Sequence, residues 1–193
     1  MSLFRTRLTA LGLALLGAVA LAGPADASIR SAAPASAHAD FSAQARAAGL
    51  DEGRAAELQR RIDTELAATG GRQVAANTIA VEGKGVMVLP LPGEQRARNL
   101  NARGTDGAFA DPCARGWVCL YPGPEYTGTM WGLYDCGKVA IGYRGTGSWY
   151  NNQPSKYRVK FYGHDGKLGW TSPGGPVGDP YASWDWVGYV SPC

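Results

Sequence analysis

Four cysteines, all between residue 113 and the C-terminal residue 193, restrict the possible folds of this chain more than any other feature. An even number of cysteines in an oxidising compartment predicts two disulfides. A zinc site is the competing interpretation, but only Cys113 and Cys119 are close in sequence and His164 is the one histidine nearby. Four cysteines allow three pairings. We favour Cys113–Cys119 as a clip across a hairpin, which leaves Cys136–Cys193.

The N-terminal segment indicates the compartment. The first seven residues carry two arginines and no acid, an apolar run follows at 8–22, and Ala25-Asp26-Ala27 has the small residues that a signal peptidase requires. The run is shorter than the roughly 20 residues of a membrane span. Residues 1–27 are therefore predicted to be a signal peptide. We expect a secreted, extracellular product that does not stay in the membrane after cleavage.

Net charge gives little information about partners. The chain has 19 basic and 16 acidic residues, a formal charge of +3. Loss of Arg5, Arg7 and Asp26 with the signal peptide would leave 17 basic and 15 acidic residues (19 − 2 and 16 − 1), a charge of +2. No basic stripe is present to attract nucleic acid. We predict a monomer that binds no nucleic acid.

Composition changes near residue 111, which predicts two regions of different structure. All six Trp and all nine Tyr lie from Cys113 onward, whereas Ala, Arg and Glu dominate the preceding region. The Ala- and Ser-rich interval 28–50 predicts a flexible tether. The polar interval 94–111 predicts a mobile linker.

Between these intervals, residues 51–93 predict a leader unit of one helix and one hairpin. Apolar side chains four residues apart indicate an amphipathic helix that Asp51 caps and Gly70 ends. Two short strands are expected at 74–81 and 86–89. Such a unit is marginally stable alone. Three roles stay open for it: docking onto the C-terminal domain, a pro-segment, or a spacer.

Residues 112–193 predict a small β domain. Short alternating segments separated by Gly, Pro and Asn predict a sandwich or barrel. We expect most of the aromatic side chains to lie in its core. The candidate strands are 117–121, 129–134, 156–162 and 184–190.

The segment Tyr121-Pro-Gly-Pro-Glu-Tyr126-Thr-Gly128 resembles the Greek-key hairpin motif of βγ-crystallins. Two aromatic rings would pack across a folded hairpin, and Gly128 would adopt a backbone conformation that a Cβ disfavours. With CARGWVC before it and GSWYNN after it, the region 113–163 resembles the secreted metalloproteinase inhibitors of streptomycetes. The resemblance implies a βγ-crystallin-like Greek-key sandwich with two disulfides and an extracellular protease as partner.

The sequence departs from this pattern in two places. The expected second hairpin, Tyr162 to Gly169, has Lys167 where an aromatic is expected, so it is either degenerate or shifted in register. The family's calcium motif is matched by Asn151, Asn152 and Ser155, but a lysine replaces its final serine. Calcium prefers several oxygen ligands with carboxylates. We favour a turn in which the Asn side chains bond to local backbone groups, and we predict no cofactor and no metal site.

The segment 171–180 is the clearest long loop, stiffened by three prolines. Pro173, Pro176 and Val177 are therefore candidate inhibitory residues, because a rigid loop costs less entropy when it binds a protease cleft. The interval 142–148 is a second candidate for the contact loop.

A non-catalytic cell-envelope or carbohydrate-binding module is the alternative function. Trp149-Tyr150 and the pair Trp184 and Trp186 are its candidate exposed aromatics. Catalysis is not expected, since the β domain has one His, one Glu and no known catalytic motif.

Overall fold

The computed structural model describes residues 35–100 and 113–193, which belong to one compact unit. This unit is mainly β, with two antiparallel sheets, two helices and two disulfides. The predicted signal peptide, the start of the predicted tether and residues 101–111 of the predicted linker lie outside the described residues.

Two helices open the described chain, α1 at Ala35–Ala47 and α2 at Glu52–Thr69. The caps predicted for α2 are confirmed, because the Asp51 carboxylate accepts from the Arg54 N–H at 2.8 Å and Gly70 has a φ of 67°. The prediction of a flexible tether is wrong for residues 35–50. Helix α1 occupies most of that interval, and Ala45 is buried against the rest of the leader.

The leader contributes three strands rather than two: β1 at Arg72–Ala75, β2 at Thr78–Val81 and β3 at Gly85–Val88. The strand predicted at 74–81 is broken by a turn at Asn77, whose buried side chain donates to the carbonyl oxygens of Leu89 and Arg98 at 2.9 Å each. Asn77 thus fixes a tight turn and holds the start of the predicted linker against the leader.

The C-terminal region contains eight strands, of which the four predicted ones are confirmed within a few residues. The strands that the sequence did not predict are β6, β7, β9 and β10. The eight run as β4 Val118–Tyr121, β5 Met130–Leu133, β6 Val139–Ala140, β7 Thr146–Asn151, β8 Arg158–Gly163, β9 Leu168–Gly174, β10 Val177–Ser183 and β11 Val187–Ser191.

These strands form a seven-stranded sheet in the order β1-β2-β3-β5-β4-β7-β10 and a four-stranded sheet in the order β6-β11-β8-β9. The leader is therefore part of the larger sheet, because β3 pairs with β5 along its whole length. Of the three roles left open, docking onto the C-terminal region is the arrangement found. The prediction of a mobile linker is wrong for residues 94–100, which pack against the rest of the protein. Ala97 is buried, and the Gln95 carbonyl accepts from the Gly128 N–H at 2.7 Å.

One tryptophan joins the two main hydrophobic clusters. One cluster lies between the sheets and includes Val118, Phe161 and Trp184; the other lies between the helices and the leader strands and includes Leu58 and Ile62. The half-buried Trp131 of β5 packs against both. The predicted cystine pairing is confirmed, and all four cysteines are paired.

Candidate functional site

The hairpin between β4 and β5 folds back over the sheet as the spacing of its aromatics predicts. The rings of Tyr121 and Tyr126 meet edge to face with their centroids 5.5 Å apart. Gly128 has a φ of +87°, and a Cβ there would lie 2.6 Å from Cγ of Pro122. Glu125 and Tyr126 also have positive φ, at 52° and 64°. Side chains in this conformation are strained, so contacts elsewhere must hold the hairpin in place.

Ser148 of β7 supplies the central contacts, which the sequence analysis missed. Its hydroxyl accepts from the Tyr126 N–H at 2.8 Å and donates to the Gly123 carbonyl at 2.7 Å. The Tyr181 hydroxyl donates to the Glu125 carboxylate at 2.6 Å, a bond that raises the pKa of Tyr181. The hydrogen bond to Ser148 joins residues 22 positions apart, so only the topology could reveal it.

The second hairpin, between β8 and β9, is an ordinary tight turn. The Gly163 N–H donates to the Lys167 carbonyl at 2.9 Å, as the Gly123 N–H does to the Thr127 carbonyl at 3.1 Å in the first hairpin. Alignment on these bonds places Gly166, with a φ of 75°, where the first hairpin has Tyr126. The register of the second hairpin is therefore one residue earlier than expected. Phe161, Gly166 and Leu168 occupy the motif positions that were predicted for Tyr162, Lys167 and Gly169.

Two of the three candidate calcium residues, Asn151 and Asn152, form side-chain hydrogen bonds to the backbone. The Asn151 side chain donates to the Tyr157 carbonyl at 3.2 Å and accepts from the Gln153 N–H at 3.1 Å. The Asn152 side chain donates to the Cys113 carbonyl at 2.9 Å. Ser155 is exposed, beyond the strand that carries Asn151. These bonds match the turn interpretation of the motif.

The interpretation of residues 171–180 as a long loop is wrong. Pro173 lies in β9, and Val177 begins β10 and packs against the core between the sheets. Only Gly175 and Pro176 separate the two strands. The reason is that β9 and β10 are edge strands of different sheets, and an edge strand accepts proline because one side of it needs no N–H partner.

The structure instead presents a different rigid loop, Tyr134–Lys138, which we call the clamped loop. It connects β5 to β6, and all five residues are exposed. Cys136 at its centre is bonded to Cys193, the last residue of the chain. The interval 154–158 is equally exposed, but it carries no covalent link.

Both ends of the clamped loop are also held. The Tyr134 ring packs on Trp117 with centroids 5.4 Å apart. Lys138 Nζ donates to the Gly166 carbonyl at 2.8 Å and lies 4.0 Å from the centre of the Tyr162 ring. The loop is thus fixed at its two ends and its centre, and it spans from the first half of the β region to the second.

The other candidate loop, 142–148, is only partly a loop. Its second half lies in β7, where Ser148 is buried. Tyr143 packs edge to face on Trp184 at 5.7 Å. Burial raises the pKa of Tyr143 well above its usual value, and the Glu65 carboxylate of α2 adds to the rise.

Of the four candidate aromatics of the alternative function, Trp149 and Trp184 are buried, Tyr150 is partly buried and Trp186 is exposed. Trp149 is 4% exposed and Trp184 is 0% exposed, whereas Trp186 is 41% exposed. Trp184 and Trp186 do not share a strand face, because they belong to the turn before β11. The exposed partner of Trp186 is Trp170 of β9, and the two side chains line a half-open cleft of about 190 Å³.

No family model, characterised protein or solved structure matches this chain. Within residues 35–100 and 113–193, no three His, Cys, Asp or Glu side chains come together as a metal site would need. Neither described helix is long and apolar enough to cross a bilayer.

Proposed function

We propose that this protein is a secreted protease inhibitor that blocks the active-site cleft of an extracellular metalloprotease with the clamped loop. The observation that carries the proposal is that all five residues of Tyr134–Lys138 are exposed and that the loop is covalently anchored. A loop ordered before binding loses little conformational entropy in the complex, so more of the contact energy contributes to affinity. The choice of a metalloprotease rests on the sequence resemblance alone.

The strand order supports a βγ-crystallin-like Greek-key fold for the C-terminal domain. In β4–β7, the first, second and fourth strands lie side by side and the third crosses to the other sheet. Strands β8–β11 repeat this arrangement, with β10 crossing in the opposite direction. Such exchange between two four-strand groups is consistent with paired Greek keys. Fold alone does not give function, so the proposal depends on the loop.

The Cys136–Cys193 cystine would let the inhibitor stay bound to the protease even after a peptide bond of the clamped loop is cut. Hydrolysis between Cys136 and Gly137 would leave the first fragment bonded to Cys193, at the end of the second. The sheets would also hold the two fragments together. The new termini would stay in the cleft, and the cut could be resealed or the complex could persist.

Export fits the same proposal. Two cystines are typical of extracellular proteins, and the N-terminal sequence predicts a signal peptide. An inhibitor that acts outside the cell also meets proteases directly, so a fold clipped by disulfides and resistant to cleavage is useful there.

The test is titration of a thermolysin-type metalloprotease, and of a subtilisin-type serine protease, with the protein lacking its signal peptide. We expect stoichiometric loss of metalloprotease activity. Absence of inhibition of either enzyme by correctly disulfide-bonded protein would refute the proposal.

The two cystines provide a matched control. The double change Cys136→Ser and Cys193→Ser should weaken inhibition and turn the protein into a substrate. Cys113→Ser with Cys119→Ser should lower stability, by about 2 kcal/mol for so short a loop, but leave inhibition stoichiometric at a temperature where the protein is folded. Equal effects of the two double changes on inhibition would argue against the clamped loop.

A further inference from the structure

The aromatic cleft between the two sheets has the chemistry of a binding site, distinct from the clamped loop. Its lining includes five aromatic side chains, one carboxylate and one hydroxyl. The half-exposed indoles of Trp170 and Trp186 form its accessible walls, at 44% and 41% exposure. Leu168, on the same strand as Trp170, is 55% exposed. Exposed apolar side chains grouped in this way are a feature of contact sites.

The walls are held rigidly by the core beneath them. The Trp170 ring lies 5.7 Å from the ring of Trp149 and 5.4 Å from that of Phe161, measured between centroids. Trp149 and Phe161 are buried. The Trp186 ring packs directly on Gly169, where any Cβ would overlap it. The cleft is therefore formed before any ligand arrives, which reduces the cost of binding.

Charge selects the class of ligand. Asp179 lines the cleft, and one of its carboxylate oxygens accepts from the Tyr181 N–H at 2.9 Å. Ser183 adds a hydroxyl at the exposed side, and no described residue of the lining is basic. Indole rings attract cations through the negative charge density on their faces, with indole the strongest of the aromatic side chains. A carboxylate beside indole walls adds direct attraction for the same ligand.

We propose that this cleft binds an organic cation, either a quaternary ammonium group or a guanidinium group. A volume of about 190 Å³ is below the roughly 300–1,000 Å³ of sites for drug-sized ligands, and it suits a single cationic head group. A neutral sugar fits the polar groups less well, because one carboxylate and one hydroxyl leave most of its hydroxyls without partners. The source is either a small solute or an arginine side chain on another protein.

The experiment is a nuclear magnetic resonance titration of the indole N–H signals at constant ionic strength. The probes are choline chloride, its neutral isostere 3,3-dimethyl-1-butanol, arginine amide and N-acetylglucosamine. Choline or arginine amide should shift the signals of Trp170 and Trp186 and leave that of Trp117 unchanged. Choline alone would indicate a small solute, and preference for arginine amide would indicate a protein side chain.

Asp179→Asn tests the role of charge without removing the turn, because the amide oxygen can still accept from the Tyr181 N–H. We expect cation binding to weaken by roughly tenfold. Glu82→Gln is the control, since Glu82 is an exposed carboxylate in the turn between β2 and β3 of the leader, and it should leave binding unchanged. The proposal would be overturned if no probe bound, if the neutral isostere bound as well as choline, or if the sugar bound better than either cation. It would also be overturned if Asp179→Asn bound the cation as tightly as the parent protein.

Failure here would leave protease inhibition unaffected, because the cleft and the clamped loop share no residue. Loss of inhibition would likewise leave this titration interpretable. The two measurements therefore judge the two proposals separately.

Discussion

The two hairpins of the β region close with the same hydrogen bond but differ in what they put on the sheet. In the first, Tyr126 adopts a positive φ and its ring covers those of Tyr121 and Tyr150, at centroid distances of 5.5 and 6.3 Å. In the second, Gly166 takes that backbone position and contributes no side chain. The residue at this position thus differs between the hairpins: it is the strained Tyr126, whose ring packs on its neighbours, in the first and a glycine in the second.

The two hairpins also differ in their contacts with the rest of the protein. The first hairpin is held by Ser148 and by bonds from Arg96 and Tyr181 to Glu125. The second supports the clamped loop instead, since the Gly166 carbonyl accepts from Lys138. The strained first hairpin is thus stabilised by contacts from other elements, whereas the second hairpin provides an acceptor that stabilises the clamped loop.

The largest expected effect comes from Gly128 of the first hairpin, with Gly166 of the second as its comparison. Gly128→Ala would place a Cβ 2.6 Å from Pro122 in a backbone with a φ of +87°. Conformational strain and overlap together should cost about 3 kcal/mol. Gly166→Ala meets nothing within 4 Å and should cost about 1 kcal/mol. Urea unfolding of both proteins measures the contrast, and equal losses would show that the first hairpin is not folded as described.

Ser148→Ala should come next, at about 2 kcal/mol. The change removes two hydrogen bonds, one from the Tyr126 N–H and one to the Gly123 carbonyl. Amide hydrogen exchange should then accelerate at Tyr126 and not at Lys167, whose hairpin Ser148 does not touch. Uniform acceleration in both hairpins would mean that Ser148 supports the whole sheet rather than the first hairpin.

A third pair of changes separates the ring of Tyr126 from its backbone strain. Tyr126→Ala and Tyr126→Gly both remove the ring contacts, but only glycine accepts a φ of 64° without cost. The glycine protein should be more stable by about 1 kcal/mol, measured as the difference in unfolding free energy. An alanine protein of equal or greater stability would contradict the positive φ.

The smallest expected effect is the pH dependence of stability that Asp165 of the second hairpin contributes. The Asp165 carboxylate accepts from the Lys167 N–H at 3.0 Å and its pKa is lowered from 3.8, first by that bond and then by the Lys167 side chain. A lowered pKa in the folded state stabilises the protein above the unfolded pKa, and the contribution is lost as pH falls through the folded pKa. Asp165→Asn should therefore be slightly less stable than the parent at pH 6, and the difference should shrink as the pH falls below 3.8. A difference that does not change with pH would exclude this cause.

Local patterns predicted the features that depend on neighbouring residues. The caps of α2 involve Asp51 and Gly70, which lie at its ends, and the aromatic spacing of the first hairpin acts within eight positions. The pairing Cys136–Cys193 was also predicted, although it was one of three possibilities.

Features set by position in a sheet were not predictable in this way. Prolines at 173 and 180 are typical of loops, yet both lie in strands because those strands are sheet edges. Alternation suggested that Trp184 and Trp186 face the same way, but both lie in a turn, where alternation does not apply. The clamped loop depends on partners up to 57 residues away, so its rigidity is invisible in the local sequence.

The most direct test of the proposed function is to find where a thermolysin-type protease cuts this protein during prolonged incubation at equal concentrations. Mass spectrometry before and after reduction of the disulfides would locate the cut. We expect a single slow cut on the C-terminal side of Cys136, between residues 136 and 138, with fragments that stay linked under denaturing conditions until the disulfide is reduced. Rapid cleavage at many sites, or a first cut elsewhere in the folded domain, would contradict the account.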